Sequence, residues 1–226
     1  MSTPITLSIA GSDSGGGAGI QADIKAISAT GGYACTVITA TTAQNTLGVT
    51  DVHPIPLAHI EAQLDAVFTD LNIQAVKIGM LADSDIIKVV AKKLRQYQPK
   101  QVVLDPVMVA TSGDMLLQDS AIETLKTELL PLVTVITPNL PEAAALLGCD
   151  TPMSQEAALA LIPALQLLPT AAVLLKGGHL TDTAESVDWL ITQEQMISYA
   201  SLRIETKNTH GTGCTLSSAL ASFLAQ

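Results

Sequence analysis

The stretch Asn208-Thr209-His210-Gly211-Thr212-Gly213-Cys214 lies between an extended run, residues 197–207, and an apolar helix that is predicted to start near Cys214. Two glycines allow the backbone to turn its N–H groups inward, and the first turn of a helix leaves more N–H groups unpaired. Such a cup attracts an anion. A helix N-terminus also lowers the pKa of a thiol, so we expect Cys214 to act as a base or nucleophile. The stretch predicts a site of phosphoryl transfer.

A purely structural turn is the alternative for this stretch, because Gly-x-Gly before a helix is common. It does not match the dinucleotide-binding fingerprint, which needs a glycine where Leu216 stands. It does not match a P-loop either, since no Gly-Lys-Ser/Thr follows. Residues elsewhere in the chain therefore have to distinguish a ligand site from a structural turn.

Length and composition restrict the class of protein. The chain has 226 residues, of which 48% are hydrophobic and 14% charged, which argues against extensive disorder. Its net charge of −10 argues against nucleic acid or an anionic membrane as a partner. The three cysteines are scattered and fit neither a zinc site nor a Cys-x-x-Cys pair. With no basic leader or membrane-length apolar run, we expect a soluble, cytoplasmic protein.

Predicted strands and helices alternate almost throughout the chain. Residues 5–10 read as a buried strand, a glycine-rich loop covers 11–19, and a helix follows to about residue 30. A hairpin is predicted between residues 187–191 and 196–200. This alternation predicts one α/β domain over residues 1–226, with three layers (α/β/α), a mostly parallel central sheet and right-handed crossovers.

Polar residues recur where predicted strands end. They are Asp13, Gln44, Asp105, Asn139 and Lys176. Ligands of open α/β sheets bind outside the carboxyl ends of the strands, so five such placements predict one shared crevice. The glycine loop beside Asp13 would permit close approach of backbone to a ligand, although it also fits a flexible connector. Gln44 can offer a donor and an acceptor to a heterocycle, or be a solvated loop residue.

Asn139, Glu142 and Lys176 each have a structural alternative as well as a chemical one. Asn139 and Glu142 have the spacing of a helix capping box, which needs no function to explain it. With Asp105, Glu142 could also hold Mg²⁺ through water, because Mg²⁺ prefers oxygen ligands and keeps several waters. Lys176 could neutralise a transferring phosphate or simply be solvated.

Eight segments together resemble a known family. They cover residues 10–23, 37–40, 43–46, 77–81, 103–108, 137–143, 175–179 and 208–214. The chain is similar to the ribokinase-like superfamily, in its pyridoxal-kinase-like branch. More narrowly, it resembles the hydroxymethylpyrimidine/phosphomethylpyrimidine kinases of thiamine biosynthesis. Each motif is moderately specific, and their common order along nearly the whole chain makes the set highly specific.

This resemblance implies an ATP- and Mg²⁺-dependent kinase that acts on a small pyrimidine. The backbone of Gly211, Thr212 and Gly213 would form the anion hole for the γ-phosphate. Cys214 stands where most of the superfamily has a catalytic aspartate, and would activate the substrate hydroxyl.

The resemblance also assigns the remaining site residues. Gln44 would read the pyrimidine edge, and the pocket would be lined by Gly11, Asp23, Met80 and Val107. Asp105 and Glu142 would serve Mg²⁺. The residues expected to address the ATP phosphates are Asn139, Lys176 and Thr209.

The chain departs from the family pattern at its end. Family members usually continue past the last helix, so we expect a carboxyl-terminal segment to be missing from residues 1–226. Two other functions stay open: a pyridoxine/pyridoxal kinase, because both rings carry a hydroxymethyl group, and a pyrimidine-binding sensor without catalysis. The oligomeric state also stays open, with a homodimer as one alternative.

Overall fold

The computed structural model describes residues 3–108, 119–180, 184–206 and 208–226. Within these ranges, nine strands form one sheet in the order β3-β2-β1-β4-β5-β6-β7-β8-β9. The strands are β1 Ile5–Asp13, β2 Tyr33–Asn45, β3 Gly48–Pro54, β4 Ile73–Ile78, β5 Gln101–Leu104, β6 Val135–Ile136, β7 Ala172–Lys176, β8 Glu185–Thr192 and β9 Met196–Leu202. Strands β2, β1, β4, β5, β6 and β7 are parallel to one another, while β3, β8 and β9 are antiparallel additions at the edges.

Helices connect most of the parallel strands. They are α1 Gly19–Ala29, α2 Leu57–Asp70, α3 Ser84–Tyr97, α4 Asp119–Thr124, α5 Leu140–Leu147, α6 Gln155–Ala160, α7 Ile162–Leu165 and α8 Thr212–Leu224. The apolar periodicity of residues 155–168 predicts one helix, which is broken at Leu161, two residues before Pro163, as expected for a proline inside a helix. In the described part of the chain, no helix is both long and apolar enough to cross a membrane.

The two faces of the sheet have different chemistry, because side chains alternate along each strand. Leu7 and Ile9 of β1 point into a large hydrophobic core that also contains the buried faces of α2, α3 and α5. Ser8 lies between them and points to the other side, where its hydroxyl contacts α1. We call the first side the apolar face. The second, covered by α1 and α8, we call the polar face.

This arrangement confirms the predicted three-layer α/β/α class with a mostly parallel sheet. The predicted hairpin is also present, as β8 and β9. Thr111-Ser112-Gly113-Asp114, whose glycine and serine predict a loop, lies outside the described residues. Every parallel strand ends at the same edge of the sheet, and that edge carries the candidate site.

Candidate active site

The stretch 208–214 forms the predicted turn at the start of α8. Gly211 has φ 78°, in the left-handed region that favours glycine. The carbonyl oxygen of Thr209 accepts hydrogen bonds from both the N–H (3.3 Å) and the hydroxyl (3.0 Å) of Thr212. Within the described ranges, the N–H groups of Gly213 and Cys214 have no backbone acceptor beyond the helix itself. They are the free donors that a helix N-terminus leaves for an anion.

The glycine loop after β1 packs directly on this turn. A Cβ atom on Gly211 would overlap the carbonyl oxygen of Gly17, so only glycine fits. A Cβ atom on Gly17 would in turn lie 2.5 Å from the ring of His210. Two glycine-bearing segments, far apart in sequence, therefore meet at the starts of α1 and α8.

Asp13 fastens the glycine loop to the turn. Its carboxylate accepts hydrogen bonds from the N–H groups of Gly15 (2.8 Å), Gly17 (3.0 Å) and Ala18 (2.8 Å). Nε2 of His210 lies 2.8 Å from Oδ2 of the same carboxylate. Burial alone would raise the pKa of Asp13, but these hydrogen bonds outweigh burial and lower it. No sequence pattern assigns His210 a role; its only signal is its place inside the turn.

A buried ion pair lies beside the turn. Nζ of Lys176 is 3.0 Å from Oδ1 of Asp105, which also accepts a hydrogen bond from Thr137 (3.1 Å). A Cβ atom on Gly213 would lie 3.3 Å from Nζ of Lys176, so a glycine there keeps the ammonium close to the turn. Burial alone would lower the pKa of Lys176, but the charges of Asp105 and Glu142 raise it. The pair brings two of the predicted strand-end residues together.

The predicted capping box is present at the start of α5. Oδ1 of Asn139 accepts from the N–H of Glu142, and Oε2 of Glu142 accepts from the N–H of Asn139, both at 2.8 Å. Burial, reinforced by the charge of Asp105 and opposed by Lys176, raises the pKa of Glu142 to about 7. The structural alternative for these two residues is thus correct. Whether they also serve ATP and Mg²⁺ stays a prediction.

The donors near Asp105 fit a magnesium ion only through water. Lys176 already occupies Oδ1 of Asp105, and the backbone of Asn139 occupies Oε2 of Glu142. The described residues contain no group of three His, Cys, Asp or Glu side chains arranged to hold a metal. Mg²⁺ usually keeps several water ligands and also binds phosphate oxygens, so two buried carboxylates beside a lysine could hold it through water.

The predicted depression of the Cys214 pKa is wrong. The pKa is raised, chiefly because burial disfavours the thiolate, and the charges of Asp105 and Asp23 add to this. The ammonium of Lys77 and a hydrogen bond from the N–H of Gly19 act in the opposite direction. The helix N-terminus is present as expected, but desolvation by the surrounding protein outweighs it.

Asp23 is enclosed between β1, β4 and α8 rather than exposed in an open pocket. It is fully buried, and its oxygens accept hydrogen bonds from Lys77 (2.8 and 2.9 Å), Ser8 (2.5 Å) and Ser218 (2.6 Å). A direct contact with substrate stays a prediction, and this geometry gives no support to it. Lys77 received no role from the sequence, although a lysine inside the apolar strand β4 was a visible signal.

The other predicted pocket residues lie near the carboxyl ends of β1, β2, β4 and β5 or just beyond them. Gly11 touches Met80, since a Cβ atom on Gly11 would lie 2.8 Å from the methionine Cε. The partly exposed side chain of Gln44 accepts a hydrogen bond from Thr42 (3.1 Å), and its backbone carbonyl accepts one from Ser14 of the glycine loop (2.8 Å). Val107 is partly exposed just after β5. Their contacts with a ligand stay predictions.

Comparison with known proteins identifies a family. The family model described as phosphomethylpyrimidine kinase matches residues 13–226. A Salmonella typhimurium protein named hydroxymethylpyrimidine/phosphomethylpyrimidine kinase is 56% identical over 217 residues, which cover 96% of this chain and 81% of that protein. These matches extend across the glycine loop, the ion pair and the 208–214 turn.

Solved structures share the fold at high similarity. A phosphomethylpyrimidine kinase from Clostridium difficile is 43% identical with a TM-score of 0.85, and the match covers 99% of this chain and 91% of that one. A pyridoxal kinase from Bacillus subtilis, solved as an ADP complex, is 38% identical with a TM-score of 0.91, and the match covers 99% and 85%. Both structures are therefore relatives in sequence as well as in fold.

Proposed function

The chain belongs to the phosphomethylpyrimidine kinase family, and on this premise we propose its substrates. It is a phosphotransferase that carries the γ-phosphate of ATP to the hydroxymethyl group of 4-amino-5-hydroxymethyl-2-methylpyrimidine. It then phosphorylates the monophosphate to the diphosphate, as a step of thiamine biosynthesis. The observation that supports this best is the turn at 208–214. It places two free N–H groups, the Cys214 thiol and the Lys176 ammonium at one edge of the sheet.

Cys214 would serve as the general base. Its thiolate would accept the proton of the substrate hydroxyl while that oxygen attacks the γ-phosphorus, and the bond from that phosphorus to the β,γ-bridging oxygen would break to release ADP. Because burial raises the thiol pKa, the resting enzyme holds the thiol protonated near neutral pH. Turnover should therefore rise with pH as the thiolate fraction grows.

The transferring phosphoryl group would be held by the turn and the ion pair. The N–H groups of Gly213 and Cys214 would donate to the oxygens on which charge develops, and Lys176 would add a positive charge beside them. Asp105 and Glu142 would hold Mg²⁺ through water, and the ion would neutralise phosphate charge when bound. Asn139 and Thr209 would contact the nucleotide phosphates.

The substrate ring would lie on the other side of the turn. Gln44 would pair with the pyrimidine edge, while Gly11, Met80 and Val107 would line the pocket. The contact between Gly11 and Met80 supports this location of the ring. Because Gly11 has no side chain, the Met80 thioether lies against the backbone of β1. Asp23 would support the pocket from below through Lys77.

Pyridoxal phosphorylation is the second candidate function. It is favoured by the TM-score of 0.91 with the Bacillus subtilis pyridoxal kinase. Turnover with ATP on the hydroxymethylpyrimidine, its monophosphate and pyridoxal, measured side by side as kcat/KM, separates the two. We expect the hydroxymethylpyrimidine to be preferred and its monophosphate to be accepted. A clear preference for pyridoxal would reject the proposed substrate.

A further inference from the structure

Lys77 is a fully buried lysine that takes no step in the proposed reaction. Its Nζ makes two hydrogen bonds to Asp23, at 2.8 and 2.9 Å, and both side chains have no exposed surface. Isolated buried charges are costly, and even paired ones are often no more stable than an apolar pair of the same volume. A fully buried ion pair therefore indicates a role other than stabilising the fold.

The ion pair joins four elements directly below the turn. Lys77 belongs to β4 and Asp23 to α1, while Ser8 of β1 and Ser218 of α8 both donate hydroxyl hydrogen bonds to Asp23. Ser218 is one helical turn after Cys214, so both lie on the same side of α8. The network therefore anchors the helix that carries the thiol.

The ammonium also points toward the carboxyl edge of the sheet. A Cβ atom on Gly79 would lie 2.9 Å from Nζ of Lys77 and 3.0 Å from Cβ of Ala10. The side chain thus runs along β4 past Gly79, toward the end of the sheet where the turn lies. Gly79 provides the space for it.

We propose that Lys77, held by Asp23, is a positioning residue for Cys214, whose thiolate it favours from beneath the turn. The expected effect on turnover rests on the proposed function, because it requires Cys214 to be the general base. The expected effect on the Cys214 thiolate does not depend on that assignment. Opposite charge at short range in a desolvated site favours the ionised form of a group. The charged groups around Cys214 are Lys77, which favours the thiolate, and Asp105 and Asp23, which oppose it. Lys176, paired with Asp105, also interacts with the thiol.

The test is the pH dependence of Cys214 alkylation by iodoacetamide, followed by mass spectrometry of the Cys214 peptide. Exposed Cys149 reports the reactivity of the reagent in the same sample. In Lys77→Met we expect the Cys214 profile to move to higher pH by about one unit, so that alkylation below the thiol pKa slows about tenfold. An unchanged profile in the folded variant would overturn the proposal.

Lys93→Met is the matched control. Lys93 is another buried lysine paired with an aspartate, Asp65 at 2.6 Å, but it belongs to α3 on the apolar face. We expect this change to leave the alkylation profile of Cys214 in place. An equal displacement in Lys93→Met would overturn the proposal, because it would show a general effect of removing a buried, paired lysine.

A second variant covers the case in which Lys77→Met does not fold. Lys77→Met/Asp23→Asn removes both charges, while the new side-chain amide can accept from one of the two serine hydroxyls through its oxygen and donate to the other through its nitrogen. Lys77 acts on the thiol more strongly than Asp23 does, so we expect the profile to move in the same direction by a smaller amount. A profile identical to the wild type in this double variant would also overturn the proposal.

Turnover separates this proposal from the proposed function. We expect kcat to fall in parallel with the thiolate fraction while KM for the alcohol changes little. A displaced alkylation profile with unchanged kcat would support the coupling of Lys77 to the thiol but reject Cys214 as the base. Lost turnover with an unchanged profile would reject the coupling and leave the base assignment intact.

Discussion

The two faces of the central sheet divide stability and chemistry between them. The apolar face packs Leu7 and Ile9 against the leucine- and isoleucine-rich sides of α2 and α3. On the polar face, alternate residues of the same strands support a buried network of Lys77, Asp23 and serine hydroxyls. The side chains on one side of a strand can therefore stabilise the fold, while those on the other side support the candidate site. The difference predicts that mutations on the two faces change different observables.

The largest stability effect should come from the apolar face. Leu64 of α2 is fully buried in the core, so Leu64→Ala removes packing and leaves a cavity. We expect the free energy of unfolding to fall by about 2–5 kcal/mol, with kcat and KM unchanged where the protein is folded. Denaturant unfolding measures this, and Leu167→Ala, at an 85% exposed leucine, is the control. A large kcat loss in folded Leu64→Ala would contradict the separation of stability and catalysis between the two faces.

A large effect on rate should come from Gly211→Ala. The new methyl group would collide with the backbone of Gly17 and displace the free N–H groups of the turn. We expect kcat to fall about 10²–10³-fold, the usual cost of losing an anion-hole donor. Gly148→Ala is the matched control, because Gly148 has φ 68° but no atom within 4 Å of a Cβ position. If both variants lost turnover equally, left-handed backbone strain rather than the contact with Gly17 would be responsible.

Sequence patterns were sufficient for the fold but not for the interior of the site. Strands such as β1 and the β8–β9 hairpin follow from local periodicity, and the capping box of α5 from local spacing. The partners Asp23 and Lys77 are 54 residues apart, and Asp13 and His210 are 197 apart. No local pattern connects such residues. The Cys214 pKa was mispredicted for the same reason, since the helix N-terminus is local whereas desolvation comes from packed neighbours.

A smaller effect should appear at Asp13. Its folded-state pKa is lowered, so its carboxylate adds stability above the unfolded pKa of about 3.9 and loses it as pH falls through the folded value. We expect Asp13→Asn to lower the free energy of unfolding by about 1–3 kcal/mol at neutral pH, and the gap to the wild type to close in acid. Denaturant melts from pH 7 downward measure this, with exposed Asp70→Asn as control. A gap independent of pH would reject the carboxylate's role.

The smallest effect on stability, with a change in binding, is expected at Gln44. Gln44→Ala would leave ring donors and acceptors of the pyrimidine unpaired, at a cost of about 1–3 kcal/mol. Calorimetry should show hydroxymethylpyrimidine affinity weakened about 10- to 100-fold at nearly unchanged thermal stability. Gln193→Ala, in the exposed β8–β9 turn, should bind like the wild type. Unchanged affinity in Gln44→Ala would return this residue to the solvated-loop interpretation.

The central claim is that Cys214, at the top of the polar face, is the base for phosphoryl transfer. It is tested most directly by measuring kcat and substrate Kd together for the wild type, Cys214→Ala and Cys214→Asp. We predict that Cys214→Ala loses about 10²–10⁴-fold in kcat, while Kd stays near the wild-type value and Cys214→Asp keeps part of the activity. Full turnover in Cys214→Ala would contradict the claim and leave only the backbone of the turn as the catalytic element.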